Sequence, residues 1–316
     1  MILTVTPNAA VDKTFRVEGF CLDRVHRPTT AHTVAGGKGI NVARVYQTLG
    51  GQTVSTGFLG GVQGQIVARA LAAEKLNSKF VPCEGETRQC IAVIDPTTGT
   101  QTEINEIGPE ISTRTVSHLL RCVQSLLSQQ TFDFVVLSGS LPPGAPDSLY
   151  AELIALAKSS GVRAVLDTSG AALREGLAAK PWMVKPNRAE LESVLGATSG
   201  TKQDCIAHAR RLHDNGVAVV ALTLGAEGAI LVCEQGFTYN AAAPAIEFAS
   251  AVASGDAFLA AFLWAWMHGA QPHNPESALR LATGAGAANA AVIGAGCCSR
   301  ESIFAHSAGV SIAKCF

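Results

Sequence analysis

Ser250-Ala-Val-Ala-Ser-Gly-Asp-Ala-Phe258 runs from a turn of small residues into the apolar stretch Leu259–Met267, which places Gly255 and Asp256 at a predicted helix start. The first N–H groups of a helix have no intrahelical partner and sit at the positive end of the macrodipole, so an anion can settle there. A carboxylate beside such a nest suits phosphoryl transfer: it takes the proton of an attacking hydroxyl while backbone donors hold the transferred group. Ser254 and Asp256 could equally be simple helix caps, and this segment alone supports both readings.

A second glycine cluster, Ala35-Gly-Gly-Lys-Gly-Ile-Asn-Val-Ala-Arg44, also leads from a tight turn into a helical pattern carrying Ile40, Ala43 and Tyr46. Gly36, Gly37 and Gly39 let backbone approach a ligand closely, and Lys38 and Asn41 offer donors to hydroxyls or phosphate. Two such helix starts suggest two anionic or polyhydroxyl ligands. Neither cluster is a Walker loop, because Gly39 follows Lys38 where Ser or Thr belongs. Gly284-Ala-Gly286 follows an Ala-rich helical pattern, with Asn289 at the third glycine position of a dinucleotide fingerprint, and reads as close helix packing.

These residues need a frame. From about residue 130 the chain alternates short β-branched runs with polar clusters and helix-period segments, the grammar of a parallel sheet with crossover helices. Phe132–Leu137 precedes Ser138-Gly-Ser140, Val162–Leu166 precedes Asp167-Thr-Ser169, Trp182–Val184 precedes Lys185-Pro-Asn187, and Val217–Leu222 precedes Thr223-Leu-Gly225. Ligands bind outside the carboxyl ends of such strands, so the clusters should converge on one crevice. About 13–33 and 88–107 instead show alternation around a Pro96-Thr-Thr-Gly99 turn and read as antiparallel strands outside the main sheet. With no Gly/Ser linker between them, the expected organisation is one α/β domain over 1–316 with these strands inserted.

A chain of 316 residues, 47% hydrophobic, can bury a large core. The net charge of -1, and no Lys or Arg run longer than Arg210-Arg211, argue against nucleic acid. The nine cysteines form no Cys-x-x-Cys pair and the eight histidines share no spacing, so neither zinc site nor disulfide framework is indicated. Reduced thiols fit a cytoplasmic location. Met1–Pro7 lacks a basic leader and reads as a buried strand. Ala257–Met267 is too short for a membrane span and reads as a core helix.

Gly36-Gly-Lys-Gly-Ile-Asn-Val-Ala43 and Val252-Ala-Ser-Gly-Asp-Ala-Phe258 resemble the two signatures of the ribokinase-like sugar kinases, the PfkB family, and the resemblance covers nearly the whole chain. Asn8-Ala-Ala-Val-Asp-Lys13, Thr87-Arg88, Ser138–Gly144 and Lys185-Pro-Asn-Arg-Ala-Glu190 are similar to the branch acting on sugar phosphates. That branch comprises 1-phosphofructokinase, tagatose-6-phosphate kinase and minor 6-phosphofructokinase. The resemblance implies a ribokinase-like fold: a mainly parallel sheet with helices on both faces and a small β lid, which in several members makes a dimer. A homodimer through the lid is therefore expected.

The resemblance also assigns roles. Asp256 is the implied catalytic base, with Ala253, Ser254 and Gly255 supplying backbone N–H groups to the transferring phosphoryl. Asp12 faces sugar hydroxyls, Gly37, Lys38 and Asn41 the hydroxyl or phosphate end, and Arg88 the existing phosphate, with Asn105 and Ser138 as weaker hydroxyl contacts. Lys185, Asn187, Thr223, Gly225 and Gly228 face the nucleotide. Asn187 and Glu190 face Mg²⁺ through water, although a capping box explains the same pair. Asp167 reads as a strand-end cap. The chain departs from the family at Ala253, where glycine is usual, and Ala251, where threonine is common. If position 253 needs positive φ, alanine costs about 1–2 kcal/mol. The implied activity is ATP- and Mg²⁺-dependent phosphorylation of a ketohexose phosphate, fructose 1-phosphate ahead of tagatose 6-phosphate. A sugar-phosphate sensor that has lost efficient transfer is the alternative of another class.

Overall fold

The computed structural model describes every residue except Glu234, Gln235 and Phe316. Strand β1 (Ile2–Thr6) is buried along its whole length, flanked on both sides, and its Thr4 hydroxyl is paired with Ser55 Oγ at 2.9 Å. It pairs in parallel with β4 (Thr53–Leu59) and β8 (Phe134–Ser138), and β9 (Arg163–Asp167), β10 (Met183–Val184) and β11 (Val219–Thr223) continue the parallel run. The short β5 (Val81–Pro82) closes one edge. Beyond β11 the sheet turns antiparallel through β12 (Ala229–Val232), β13 (Thr238–Ala242) and β14 (Ser311–Cys315), giving ten strands in all. This antiparallel wing was not visible in the sequence.

Side chains alternate across the sheet, and each face has its own core. Leu3, Val5, Val135, Leu137 and Leu166 pack with α3 (Thr113–Gln129), α4 (Leu149–Ser159) and α7 (Lys202–Asp214). Ile2, Phe134, Val136, Val165 and Met183 pack with α1 (Lys38–Thr48), α8 (Ser254–His268) and α9 (Pro275–Ala290) on the other face. Helix α3 shows why: Ser112 Oγ accepts from Thr115 N–H to start it, and Val116, Leu119, Val123 and Leu126 line its buried stripe. Ala257–Met267 lies within α8 and is a core helix, as expected. The reading of Gly284 as close packing holds too: a Cβ there would sit 2.5 Å from Ser307 N, in the neighbouring α10 (Arg300–Ala308).

The four strands expected from residue 130 onward form; β8, β9 and β11 each reach one residue further towards their polar clusters than the apolar runs suggest, while β10 ends at Val184 as expected. The first polar residue of a cluster still pairs: Ser138 is in register with Asp167. A second sheet has the order β3 (Thr30–Gly36), β2 (Ala10–Arg16), β6 (Arg88–Asp95), β7 (Thr100–Asn105). It begins about three residues earlier than expected because Ala10 and Val11 pair with Gly36 and Ala35. The reading of these strands as antiparallel is corrected at one junction. β2 and β6 are parallel, since the chain between them crosses the main sheet rather than turning in a hairpin.

Candidate active site

Helix α8 starts where a left-handed residue reverses the chain. Ala253 holds φ 63 and ψ 10, a conformation that glycine adopts without strain and alanine does not. Asn289, fully buried on α9, braces this turn: its Nδ2 donates to Val252 O at 2.7 Å and Ser254 Oγ at 3.2 Å, and its Oδ1 accepts from Gly296 N–H at 3.0 Å. Of the three backbone donors expected at the anion hole, the Ser254 N–H is engaged within the turn, bonding Ala251 O at 3.2 Å. Gly255 leaves room for an ammonium, since a Cβ there would lie 3.2 Å from Lys185 Nζ.

Asp256 is 5% exposed and accepts from Asn41 Nδ2 at 2.9 Å. Burial pushes its carboxyl up to about 6; nearby Lys38 opposes the rise, Asp167 adds to it, and the Asn41 hydrogen bond and Lys185 oppose it. A base poised there is ionised at neutral pH yet basic enough to take a hydroxyl proton.

Asp167 is no simple strand-end cap. Its fully buried carboxylate bridges Lys38 Nζ at 3.1 Å and Lys185 Nζ at 3.3 Å. Burial alone would raise its pKa, but Lys185 and Lys38 reverse that and hold it below the usual range, while Asp167 raises Lys38. Two ammonium groups are thus held against one carboxylate at the carboxyl ends of β9 and β10, where an incoming polyphosphate can take over part of their pairing.

Asn187 and Glu190 form the capping box of α6 (Arg188–Leu195): Asn187 Oδ1 accepts from Glu190 N–H and Glu190 Oε2 accepts from Asn187 N–H, each at 2.9 Å. The capping reading therefore holds. Glu190 Oε1 stays outside the box, 3.8 Å from Lys38 Nζ. Among the described residues no three His, Cys, Asp or Glu side chains form a metal cage. The donor set fits Mg²⁺ only in its usual manner, one carboxylate with waters and ligand phosphates completing the shell.

Two cavities meet at this turn. One, of about 600 Å³, is lined by Asp12, Gly37, Lys38, Asn41, Arg88, Asn105, Lys185, Asn187, Glu190 and Ala253–Asp256. The other, of about 640 Å³, carries Thr223, Gly225 and Gly228 and an apolar wall of Ala243–Ile246, Phe248, Ala287 and Ala290. Thr223, Gly225, Ala251, Ser254 and Gly255 line both. Lys185 and Asn187, expected on the nucleotide side, face the first cavity near this junction.

Asp12 in β2 stands opposite Cys90 and Val34, and burial pushes it up to about 6 against the pull of Arg88 and Arg44. Gly37, at φ 105, starts α1 so tightly under β1 that a Cβ would lie 2.8 Å from Thr6 Cγ2. Arg88 donates from Nε to Asn8 O and from Nη1 to Glu106 O, both at 3.2 Å. Among the described residues it has no ion pair. Asn105 Nδ2 is 3.3 Å from Glu103 Oε2. Ser138 is corrected: it is fully buried at the end of β8 and lines neither cavity, because the ladder to β9 carries it under the surface.

The comparison with protein families matches residues 5–302 to the pfkB family carbohydrate kinase. The chain belongs to that family. It is 37% identical to tagatose-6-phosphate kinase of Staphylococcus epidermidis over 298 residues, covering 92% of each chain. It is 40% identical to 1-phosphofructokinase of Rhodobacter capsulatus over 264 residues, covering 84% of this chain and 83% of that one. The crystal structure of a possible 1-phosphofructokinase from Thermotoga maritima superposes with a TM-score of 0.91 at 29% identity, covering 100% of both chains. The fold is the ribokinase-like α/β fold and the protein is a carbohydrate kinase. Sequence reading missed Asp167, Asn289 and the apolar wall from Ala243 to Phe248.

Proposed function

We propose that this kinase transfers the γ-phosphoryl of ATP to a hydroxymethyl group of a ketohexose phosphate, with fructose 1-phosphate as first candidate acceptor. Arg88 carries the reading: its guanidinium lines the sugar-side cavity, is steadied by two backbone carbonyls and forms no ion pair within 4 Å among the described residues, although Asp12 lies near enough to feel its charge. A planar fork of that kind suits a phosphate already on the sugar.

Asp256 takes the acceptor proton as the oxygen attacks the γ-phosphorus, and ADP leaves in line. Lys38 and Lys185 sit within reach of the developing charge, while Asp167 keeps both ammonium groups in place before the phosphates arrive. Glu190, through water and beside Asn187, would hold Mg²⁺, which when bound neutralises charge on the phosphates. Closure of the small sheet keeps water from competing as acceptor. Tagatose 6-phosphate is the second acceptor, supported by the similarity to a tagatose-6-phosphate kinase.

Two further readings accompany the activity. Leu22, Val25, Ile104 and Ile107 are exposed on the small sheet and its loops, which suits a homodimer built through the lid. No described helix is long and apolar enough to cross a membrane, and no disulfide joins the described cysteines, which suits the cytoplasm.

The deciding experiment is coupled ADP release with ATP and Mg²⁺ against fructose 1-phosphate, fructose 6-phosphate, tagatose 6-phosphate, tagatose 1-phosphate and the free hexoses. One phosphosugar standing out in kcat/KM is expected. Activity confined to free hexoses overturns the role of Arg88, and silence with retained phosphosugar binding makes the protein a sensor.

A further inference from the structure

Three side chains form a row along one face of β7. Gln101, Glu103 and Asn105 are two residues apart, so they project to the same side of the strand. Asn105 Nδ2 donates to Glu103 Oε2 at 3.3 Å, and Gln101 Nε2 donates to Glu103 Oε1 at 2.7 Å. Asn105 and Glu103 line the sugar-side cavity. At the other end of the row Gln101 reaches beyond its own sheet. Its Oε1 accepts from Ser250 Oγ at 3.1 Å and from the Ala251 N–H at 3.3 Å.

Those two partners are not ordinary surface groups. Ser250 is 2% exposed, its Oγ accepts from the Val252 N–H at 3.3 Å, and Ala251 lines both cavities. The segment leads directly into the left-handed Ala253. Asn289 braces the far side of the same turn, so Gln101 supplies its support from the lid. A hydrogen-bonded row therefore runs from the sugar side to the backbone that shapes the anion hole.

We propose that Gln101 is a positioning residue that carries the state of the lid to the 250–253 turn, so that the anion hole is fully formed only while the lid covers the sugar. The inference rests on the phosphosugar-kinase reading for its chemistry. It links acceptor binding to phosphoryl transfer: with the lid open, Ser250 and Ala251 lose their carboxamide partner and the turn loosens, which keeps ATP from being spent on water.

Gln101→Ala and Gln101→Glu test it with ATP, Mg²⁺ and fructose 1-phosphate. The first removes both acceptor contacts; the second keeps an acceptor oxygen but sets a carboxylate against Glu103 and breaks the row. For Gln101→Ala, kcat should fall about tenfold, the scale of two lost hydrogen bonds. The KM for the phosphosugar should move less than about threefold, and ADP release without acceptor should not rise, because a loosened turn transfers to water no better than to sugar. Gln101→Glu should likewise lower kcat with no rise in acceptor-free ADP release. Unchanged kcat overturns the proposal, as does a loss confined to the phosphosugar KM or a rise in acceptor-free ADP release. Amide hydrogen exchange over 250–252 with a phosphosugar bound and no nucleotide reads the latch without turnover, and about tenfold faster exchange is expected in Gln101→Ala. Unchanged exchange overturns the latch whatever the acceptor proves to be, whereas failure of the acceptor panel alone overturns the substrate reading.

Discussion

Asn41 donates its side-chain amide to Asp256 across 2.9 Å, although the two residues lie 215 positions apart. The bond ties the first glycine-rich helix to the second. Arg44 Nη1 donates to Asn41 Oδ1 at 3.0 Å, which fixes the amide so that its nitrogen faces the carboxylate. The two signature segments are thus one hydrogen-bonded unit, and its central member is the group proposed to accept the acceptor's proton.

Asp256→Asn should lower kcat at least about a hundredfold while leaving phosphosugar binding largely intact, because the amide cannot take the proton. Calorimetric binding beside steady-state rates separates the two effects. Burial raises this carboxyl in the folded chain, so its ionisation opposes folding above pH about 6, and the variant should melt no lower than the parent at pH 8. Near-normal turnover would remove Asp256 from the mechanism.

Asp256 and Asp12 are both pushed up to about 6, and both line the sugar-side cavity. In the proposed mechanism each must be ionised, Asp256 to accept a proton and Asp12 to receive sugar hydroxyls. Log kcat/KM for the phosphosugar should therefore fall below pH about 6 with a slope approaching two rather than one. Asn41→Ala removes a hydrogen bond to the ionised Asp256 and should move the acid limb of kcat to higher pH. A limb that stays in place would detach Asn41 from the base.

Arg88→Ala should raise KM for the phosphosugar at least tenfold and KM for ATP hardly at all, since a bidentate charged contact is worth about 1.5–3 kcal/mol. Equal changes in both constants would demote Arg88 to a structural role for the small sheet.

Ala253→Gly weighs two opposed effects. Relieving a left-handed alanine gains about 1–2 kcal/mol, and the looser unfolded chain takes back about 0.4–1 kcal/mol. The difference predicts a stability gain of about 0.5–1 kcal/mol in denaturant titration. A loss would mean that Asn289 and the Ala251 carbonyl already hold the turn without strain.

Much of this was legible from sequence because the parallel strands from residue 130 onward are mainly β-branched and apolar, and polar residues at their ends then stand out. Lys185, Asn187 and Thr223 were found in that way. The remainder left weaker traces. Asp167 looked like a cap because its role depends on two lysines from distant segments. Asn289 was one polar residue in an alanine-rich helix, where being buried and fully bonded is a three-dimensional property. The wall from Ala243 to Phe248 has no polar signature, and the β12 to β14 wing depends on a C-terminal strand whose partner lies far back in the chain. The parallel β2 and β6 junction was hidden because register between distant strands leaves no local mark.

The two cavities share the wall formed by Thr223, Gly225, Ala251, Ser254 and Gly255. For inhibitor design this means that a single molecule can occupy both. A ketohexose phosphate joined to adenosine by a short oligophosphate would lose its rigid-body freedom once instead of twice, so its dissociation constant should fall well below that of either half. Selectivity would come from the sugar half, where Asp12 and Arg88 are proposed to read hydroxyls and charge, while the apolar wall on the other side would supply affinity with little discrimination.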